Sequence, residues 1–171
     1  HEANVTTIDA SSLAAASKYH VVTIDTISDS TLDGFTITGG AATGSSPDNK
    51  GGGIYLASSS NITIANCTII QNASDSLGAE KYGDDTSVSI GNCTIANNTA
   101  GRSGGGVYLD GEASVTMSDC IVYGNYSGYE GGGINIYTDD LFYSTITDCI
   151  IASNESDDAG GAIYTYGTTI E

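Results

Sequence analysis

Four phrases decide the fold of this chain: Ile64-Ala-Asn-Cys67-Thr-Ile-Ile-Gln-Asn72, Ile90-Gly-Asn-Cys93-Thr-Ile-Ala-Asn-Asn98, Met117-Ser-Asp-Cys120-Ile-Val-Tyr-Gly-Asn125 and Ile146-Thr-Asp-Cys149-Ile-Ile-Ala-Ser-Asn154. Their cysteines recur at intervals of 26, 27 and 29 residues. Self-similarity at such a period marks a chain of stacked structural repeats. A second phrase, a glycine cluster followed by an alternating triplet, occurs at Gly51-Gly-Gly-Ile54-Tyr55-Leu56, Gly104-Gly-Gly-Val107-Tyr108-Leu109, Gly131-Gly-Gly-Ile134-Asn135-Ile136 and Gly160-Gly-Ala-Ile163-Tyr164-Thr165. Between the two lies a third short alternating run, seen at Ile62/Ile64, Val88/Ile90, Val115/Met117 and Ile146.

Three period-2 segments separated by Gly, Asn, Asp and Ser make each repeat three short strands, and no 3.6-residue period lasts long enough for a helix. One such repeat cannot bury an apolar face alone. Wound so that like strands lie over one another about 4.8 Å apart, the repeats enclose a continuous core. The expected fold is therefore all-β, a parallel β-helix of three short strands per coil and about five to six coils, as a single domain over residues 1–171.

Winding turns every sequence position into a column. The sulfur column through Cys67, Cys93, Cys120 and Cys149 extends to Phe35, because Leu32-Asp-Gly-Phe35-Thr-Ile-Thr-Gly-Gly40 fits the same phrase one coil earlier. Inward columns are expected at Ile37, Ile69, Ile95, Val122 and Ile151, at Ile54, Val107, Ile134 and Ile163, and at Ile64, Ile90, Met117 and Ile146. One turn carries Gly34, Asn66, Asn92, Asp119 and Asp148, and the turn after the cysteine strand carries Asn72, Asn98, Asn125 and Asn154. Asn and Asp tolerate left-handed backbone, and stacked identical amides bond to one another along the axis. Both columns read as determinants of the fold. The cysteines read as buried thiols rather than disulfides, since in-register neighbours hold their Cβ vectors side by side.

The Gly-Gly-x-Ile phrase with Cys-x-(Ile/Val)-x-x-Asn downstream resembles the repeats of the polymorphic outer membrane proteins and related right-handed β-helix surface proteins. Their two motifs match Gly52-Gly-Ile54, Gly105-Gly-Val107, Gly132-Gly-Ile134 and Gly161-Ala-Ile163, and Ile69-Ile-Gln-Asn72, Ile95-Ala-Asn-Asn98, Val122-Tyr-Gly-Asn125 and Ile151-Ala-Ser-Asn154, with Ile or Val where the family carries Phe. The resemblance implies a right-handed coil and an extracellular, cell-surface, often adhesive role.

Composition agrees with that setting. Twenty-one acidic residues against 4 basic ones give a formal charge of −17, which repels nucleic acid and anionic membranes. No apolar run is long enough to span a bilayer. Of eight Asn-x-Ser/Thr sequons, Asn72, Asn97, Asn125 and Asn154 are the glycosylation candidates because they head variable loops, whereas Asn66 and Asn92 are expected bare in a tight turn. Tyr55, Tyr108 and Tyr164 are expected to face outward as a sugar platform or packing stripe, with Asn135 and Lys81 in the intervening coils. Asp84, Asp85, Asp110, Asp139 and Asp140 share one corner of successive coils. They are candidate Ca²⁺ ligands, their bland alternative being a solvated loop edge. No other cofactor is expected.

Two further features stand out. Counting back from Cys93 puts Glu80 where Ile54 points inward and Lys81 where Tyr55 points outward, so the coil from Leu77 to Asp84 should bulge or loop out. A catalytic reading rests on Arg102 beside the acidic loops alone. The chain opens on Asn4-Val-Thr-Thr-Ile8, which aligns with the cysteine strand, and closes on Thr168-Thr-Ile170 of the intermediate type. Open coil edges invite pairing with another chain. The primary expectation is thus a non-catalytic extracellular structural protein, its partner another copy of itself, stacked end to end into a surface filament or forming a segment of an adhesin stalk. A carbohydrate-binding module that takes glycans is the alternative, and a polysaccharide lyase or hydrolase a weaker one.

Overall fold

The computed structural model describes residues 6–13, 20–44, 49–76, 86–111, 113–138 and 143–170. In them the chain winds as an all-β solenoid of about 5 turns, every strand pairing in parallel with its equivalent one coil away. Six cysteine-type strands form one unbroken sheet in the order Thr6–Asp9, Phe35–Thr38, Thr68–Ile70, Thr94–Ala96, Ile121–Tyr123 and Ile150–Ala152. Six intermediate strands, from Thr31–Asp33 to Thr169–Ile170, form a second. The glycine-type strands form two pieces. Val22–Asp25 pairs with Ile54–Ala57, and Val107–Gly111 pairs with Ile134–Thr138, which pairs with Ile163–Tyr166. Glu80 and Lys81, expected to bulge from the coil between those pieces, fall in residues 77–85, which lie outside the described residues.

The register is the one the columns require. Ile37, Ile69, Ile95, Val122 and Ile151 are successive partners, as are Ile64, Ile90, Met117 and Ile146. They face inward with Ile54, Val107 and Ile134, and the side chains of Ile37, Ile95, Met117 and Ile134 are fully buried. Thr6–Asp9 pairs with Phe35–Thr38, so the chain enters on the cysteine-type sheet.

The expectation of three strands per coil needs a correction. A fourth, two-residue strand follows each ladder asparagine, at Ala73–Ser74, Thr99–Ala100, Tyr126–Ser127 and Glu155–Ser156, and follows Gly40 at the equivalent place one coil earlier, at Ala41–Ala42; these pair in order as a five-stranded sheet. Two residues cannot display a period-2 pattern, so this strand is invisible to a periodicity argument.

The asparagine column is a buried hydrogen-bonded spine. Asn72, Asn98 and Asn125 point into the coil, and each donates its Nδ2 to a backbone carbonyl of the preceding coil, at Ile37, Ile69 and Ile95, at 2.9 to 3.1 Å. Each amide Oδ1 from Asn98 on accepts two bonds from the asparagine one coil back: Asn98 from the N–H and Nδ2 of Asn72 at 3.0 and 3.2 Å, Asn125 from those of Asn98 at 3.0 Å, and Asn154 from those of Asn125 at 2.9 Å. The left-handed backbone expected of these asparagines belongs instead to the residue before each of them: Gln71, Asn97, Gly124 and Ser153 have φ between 54° and 64°, as has Gly39 (76°) before Gly40, the equivalent place one coil earlier. The other turn behaves as read, with Asn66, Asn92, Asp119 and Asp148 at φ 51° to 53°.

All four cysteines are free thiols, and Cys67, Cys93 and Cys120 are buried. Each sulfur donates to the carbonyl two residues back at 3.1 to 3.2 Å, and the N–H groups of Cys67 and Cys93 donate to the sulfur of the next coil at 3.4 Å. The bond to Cys120 and burial push the Cys93 thiol above its ordinary range, and burial does the same at Cys149. In the unfolded chain these two thiols lose their protons above pH about 8.5, while the folded chain retains them. The same bond lowers the Cys120 thiol to about 6, so Cys120 adds stability as pH rises only until its unfolded counterpart has also ionised. Above about pH 8.5 the Cys93 and Cys149 contributions remain, the unfolded state binds fewer protons, and stability falls as pH rises. We expect Tm to decline between pH 8 and 10, and a thiol reagent to modify Cys149 ahead of the other three in native protein. A flat Tm profile would contradict the assigned protonation.

Candidate functional site

The outward face of the glycine-type sheet is set by its pairing: Tyr108, Asn135 and Tyr164 form one column, and Asp110, Tyr137 and Tyr166 the next. The expectation of an exposed Tyr55–Tyr108–Tyr164 stripe is corrected at two of its members, since Tyr55 is 7% and Tyr108 9% exposed. The glycine phrase crowds this column in each coil that carries it. Gly51, Gly104, Gly131 and Gly160 have positive φ and fold back over the residue four places on, so that a Cβ at Gly104 would lie 2.5 Å from that of Tyr108. His20 stacks on Tyr55 with ring centroids 4.7 Å apart. The aromatic surface that remains open is the stacked pair Tyr137–Tyr166, centroids 4.7 Å apart and 9° from parallel, with Tyr129 beside it.

Asparagine is much shorter than tyrosine. Asn135, flanked along the column by Tyr108 and Tyr164, therefore floors a notch, which opens into a lateral groove of about 520 Å³. One wall is a backbone ladder in which Arg102 N–H donates to Ser76 at 2.7 Å, and Tyr129 N–H to Arg102 at 2.8 Å. Asn49, Lys50, Ser103, Asp110, Glu130 and Tyr137 complete the lining. The Glu130 charge pushes the Tyr164 phenol above its ordinary range. Two cations, Lys50 and Arg102, thus face two carboxylates, Asp110 and Glu130.

Asn135 is 1% exposed, and neither its Oδ1 nor its Nδ2 has a hydrogen-bond partner. Asn49 Oδ1, in the same groove, is also buried without one. Buried side-chain amides are almost always satisfied, because an unmet polar group costs about 1–3 kcal/mol. The arrangement can therefore offer a ligand one amide acceptor and two amide donors at the bottom of a notch between aromatic rings. The sequence carried a signal for it, since the phrase holding Asn135 is the one of the four glycine phrases without tyrosine at that place. Lys50, Tyr129 and Glu130 had no such signal, because the groove assembles them from separate coils.

The remaining candidates fall elsewhere. Phe35 and the four cysteines line the interior column. Asn72, Asn125 and Asn154 are corrected as glycosylation candidates, because their amides point into the coil and are bonded to Ile37, Ile95 and Val122 carbonyls, which no glycan attachment permits. Asn97 is exposed on a left-handed turn residue, as a glycan would need. Asn66 and Asn92, expected bare in a tight turn, are turn residues exposed to solvent with their amides engaged, Nδ2 of Asn66 bonded to Asp33 at 2.7 Å and that of Asn92 to Asn66 at 2.6 Å. Asp84, Asp85, Asp139 and Asp140 lie outside the described residues, and Asp110 turns back to accept from Gly111 N–H at 2.9 Å. No group of three or more metal-ligating side chains converges among the described residues. Nor is any helix among them long and apolar enough to cross a membrane.

Comparison with protein families matches residues 2–141 to the right-handed β-helix region. The chain belongs to the right-handed β-helix family. That assignment fixes the hand of the coil, which the spacing of repeats left to resemblance. No curated protein and no solved structure matches this β-helix.

Proposed function

We propose that this β-helix is a non-catalytic extracellular protein, a rigid rod whose lateral groove binds a carbohydrate. The observation that carries the reading is Asn135, a buried amide with both ends unmet between tyrosine rings. Sugar sites combine such a polar group with aromatic faces that cover the apolar side of a ring. Extracellular placement rests on the likeness of the repeat phrases to those of surface proteins. A glycan array followed by titration of the hits tests it: we expect at least one hit, weakened about five- to thirtyfold, roughly 1–2 kcal/mol, by Tyr137→Ala. An array without hits removes the reading, and release of shortened products from a hit would replace it with an enzyme.

A further inference from the structure

We infer that the Asn135 notch selects the ligand of the groove, and that it takes the vicinal hydroxyl pair of an uncharged pyranose chain lying along the coil axis. This deepens the carbohydrate reading above and rests on it.

The unmet groups specify what must arrive. Asn135 Oδ1 needs a donor and Nδ2 an acceptor, side by side and at the bottom of the notch. Adjacent ring hydroxyls supply one of each at that spacing. An ionised carboxylate is acceptor-only, so in the notch it would satisfy Nδ2 and leave Oδ1 buried and unmet, and a uronate unit would have to present its own hydroxyl pair there instead.

Charge points the same way. Within the groove, Lys50 and Arg102 are balanced by Asp110 and Glu130, and the chain as a whole carries −17. A polyanion approaches against that field with no local cationic excess to offset it, whereas a neutral chain does not sense it. The groove also has the direction for a chain. Its lining comes from successive coils, Lys50, then Ser76, then Arg102 with Tyr108 and Asp110, then Asn135 with Tyr137. Coils rise about 4.8 Å, close to the length of one sugar unit. Tyr137 on Tyr166 continues the line with an aromatic face.

The internal repeat supplies the control. Three coils hold tyrosine where this one holds Asn135, beneath the same folded-back glycine, so the position accepts tyrosine without new strain. If Asn135 served the fold, replacing it would cost stability. If it serves a ligand, removing its two unmet polar atoms leaves stability unchanged or raises it.

The experiment is isothermal titration of gluco-, manno- and galacto-configured neutral trisaccharides, and of trigalacturonate, into the wild type, Asn135→Ala and Asn135→Tyr, with Tm measured for each. We expect a neutral trisaccharide to bind, trigalacturonate to bind at least tenfold more weakly, and both variants to lose at least tenfold in affinity at an equal or higher Tm. Trigalacturonate binding as tightly as the best neutral ligand overturns the inference, as does wild-type affinity in Asn135→Ala or a lowered Tm in both variants. Each of those results leaves the groove standing as a carbohydrate site. Failure of every saccharide to bind removes the groove reading together with this one.

Discussion

Asn98→Ala is expected to lower the free energy of unfolding by about 3–5 kcal/mol. The Asn98 side chain accepts from the N–H and Nδ2 of Asn72, donates to the Ile69 carbonyl at 3.0 Å, and donates to Asn125 Oδ1 at 3.0 Å. Alanine removes all four bonds. Asn72 Nδ2 still reaches the Ile37 carbonyl, and Asn125 Oδ1 still accepts from the Asn98 N–H at 3.0 Å. The Asn72 N–H and the Ile69 carbonyl then lose these partners inside the coil. Each orphaned buried group costs about 1–3 kcal/mol, and a small cavity adds to it. Asn98→Asp tests the sign of the effect: a carboxylate accepts from Asn72 but cannot donate to Ile69, and it would be buried, so it should do no better than alanine. Urea denaturation of the three proteins measures this. A loss below about 1 kcal/mol in Asn98→Ala would mean the ladder is filled by something other than its amides.

Gly105→Ala is expected to cost about 3 kcal/mol, for a reason unrelated to backbone freedom. Its φ is ordinary, but a Cβ there would meet the carbonyl of Tyr126, which closes the same coil, and lie 2.5 Å from the carbonyl of Gly132 in the next. Both obstacles are backbone, and neither can rotate aside, so the added methyl must push neighbouring coils away from each other. Gly111 provides the contrast. It has φ +72° and nothing within 4 Å of its would-be Cβ, so alanine there carries only the left-handed penalty of roughly 1–2 kcal/mol. The ordering, Gly105 worse than Gly111, is checked by the midpoints of thermal unfolding. The reverse order would show that the coil spacing yields more easily than the backbone torsion. The third glycine of the phrase has another neighbour again, the ladder amide: a Cβ at Gly53, Gly106 or Gly133 would crowd Nδ2 of Asn72, Asn125 or Asn154 at 2.8 to 3.0 Å. The two repeated phrases thus interlock, glycine without a side chain against asparagine with one.

How far the sequence could be read depended on repetition. The 26- to 29-residue period, the cysteine phrase and the position of Phe35 were enough to place every inward aliphatic column, because stacking equates like positions without any knowledge of the turns. The asparagine column was legible as a spine but not in direction. A turn asparagine that caps outward and one that bonds inward carry the same letter, and only the left-handed residue before each of them, Gln71 or Ser153 as readily as Gly124, rotates the amide into the core. That rotation is why Asn72, Asn125 and Asn154 lost their standing as glycan acceptors.

By itself the amino-acid order determined a parallel β-helix, its register, its buried thiols and its acidic surface, since each follows from local period and composition. Only the tertiary structure decided which outward residues meet solvent. Folding of Gly51 and Gly104 back over Tyr55 and Tyr108 closes one stretch of the face, while a short side chain at Asn135 between two long ones opens another. The groove exists because Lys50, Arg102, Glu130 and Asn135, spread over more than eighty residues of chain, come to one side of the stacked coils. No local pattern encodes that proximity, because it depends on the shape of turns whose sequences do not repeat.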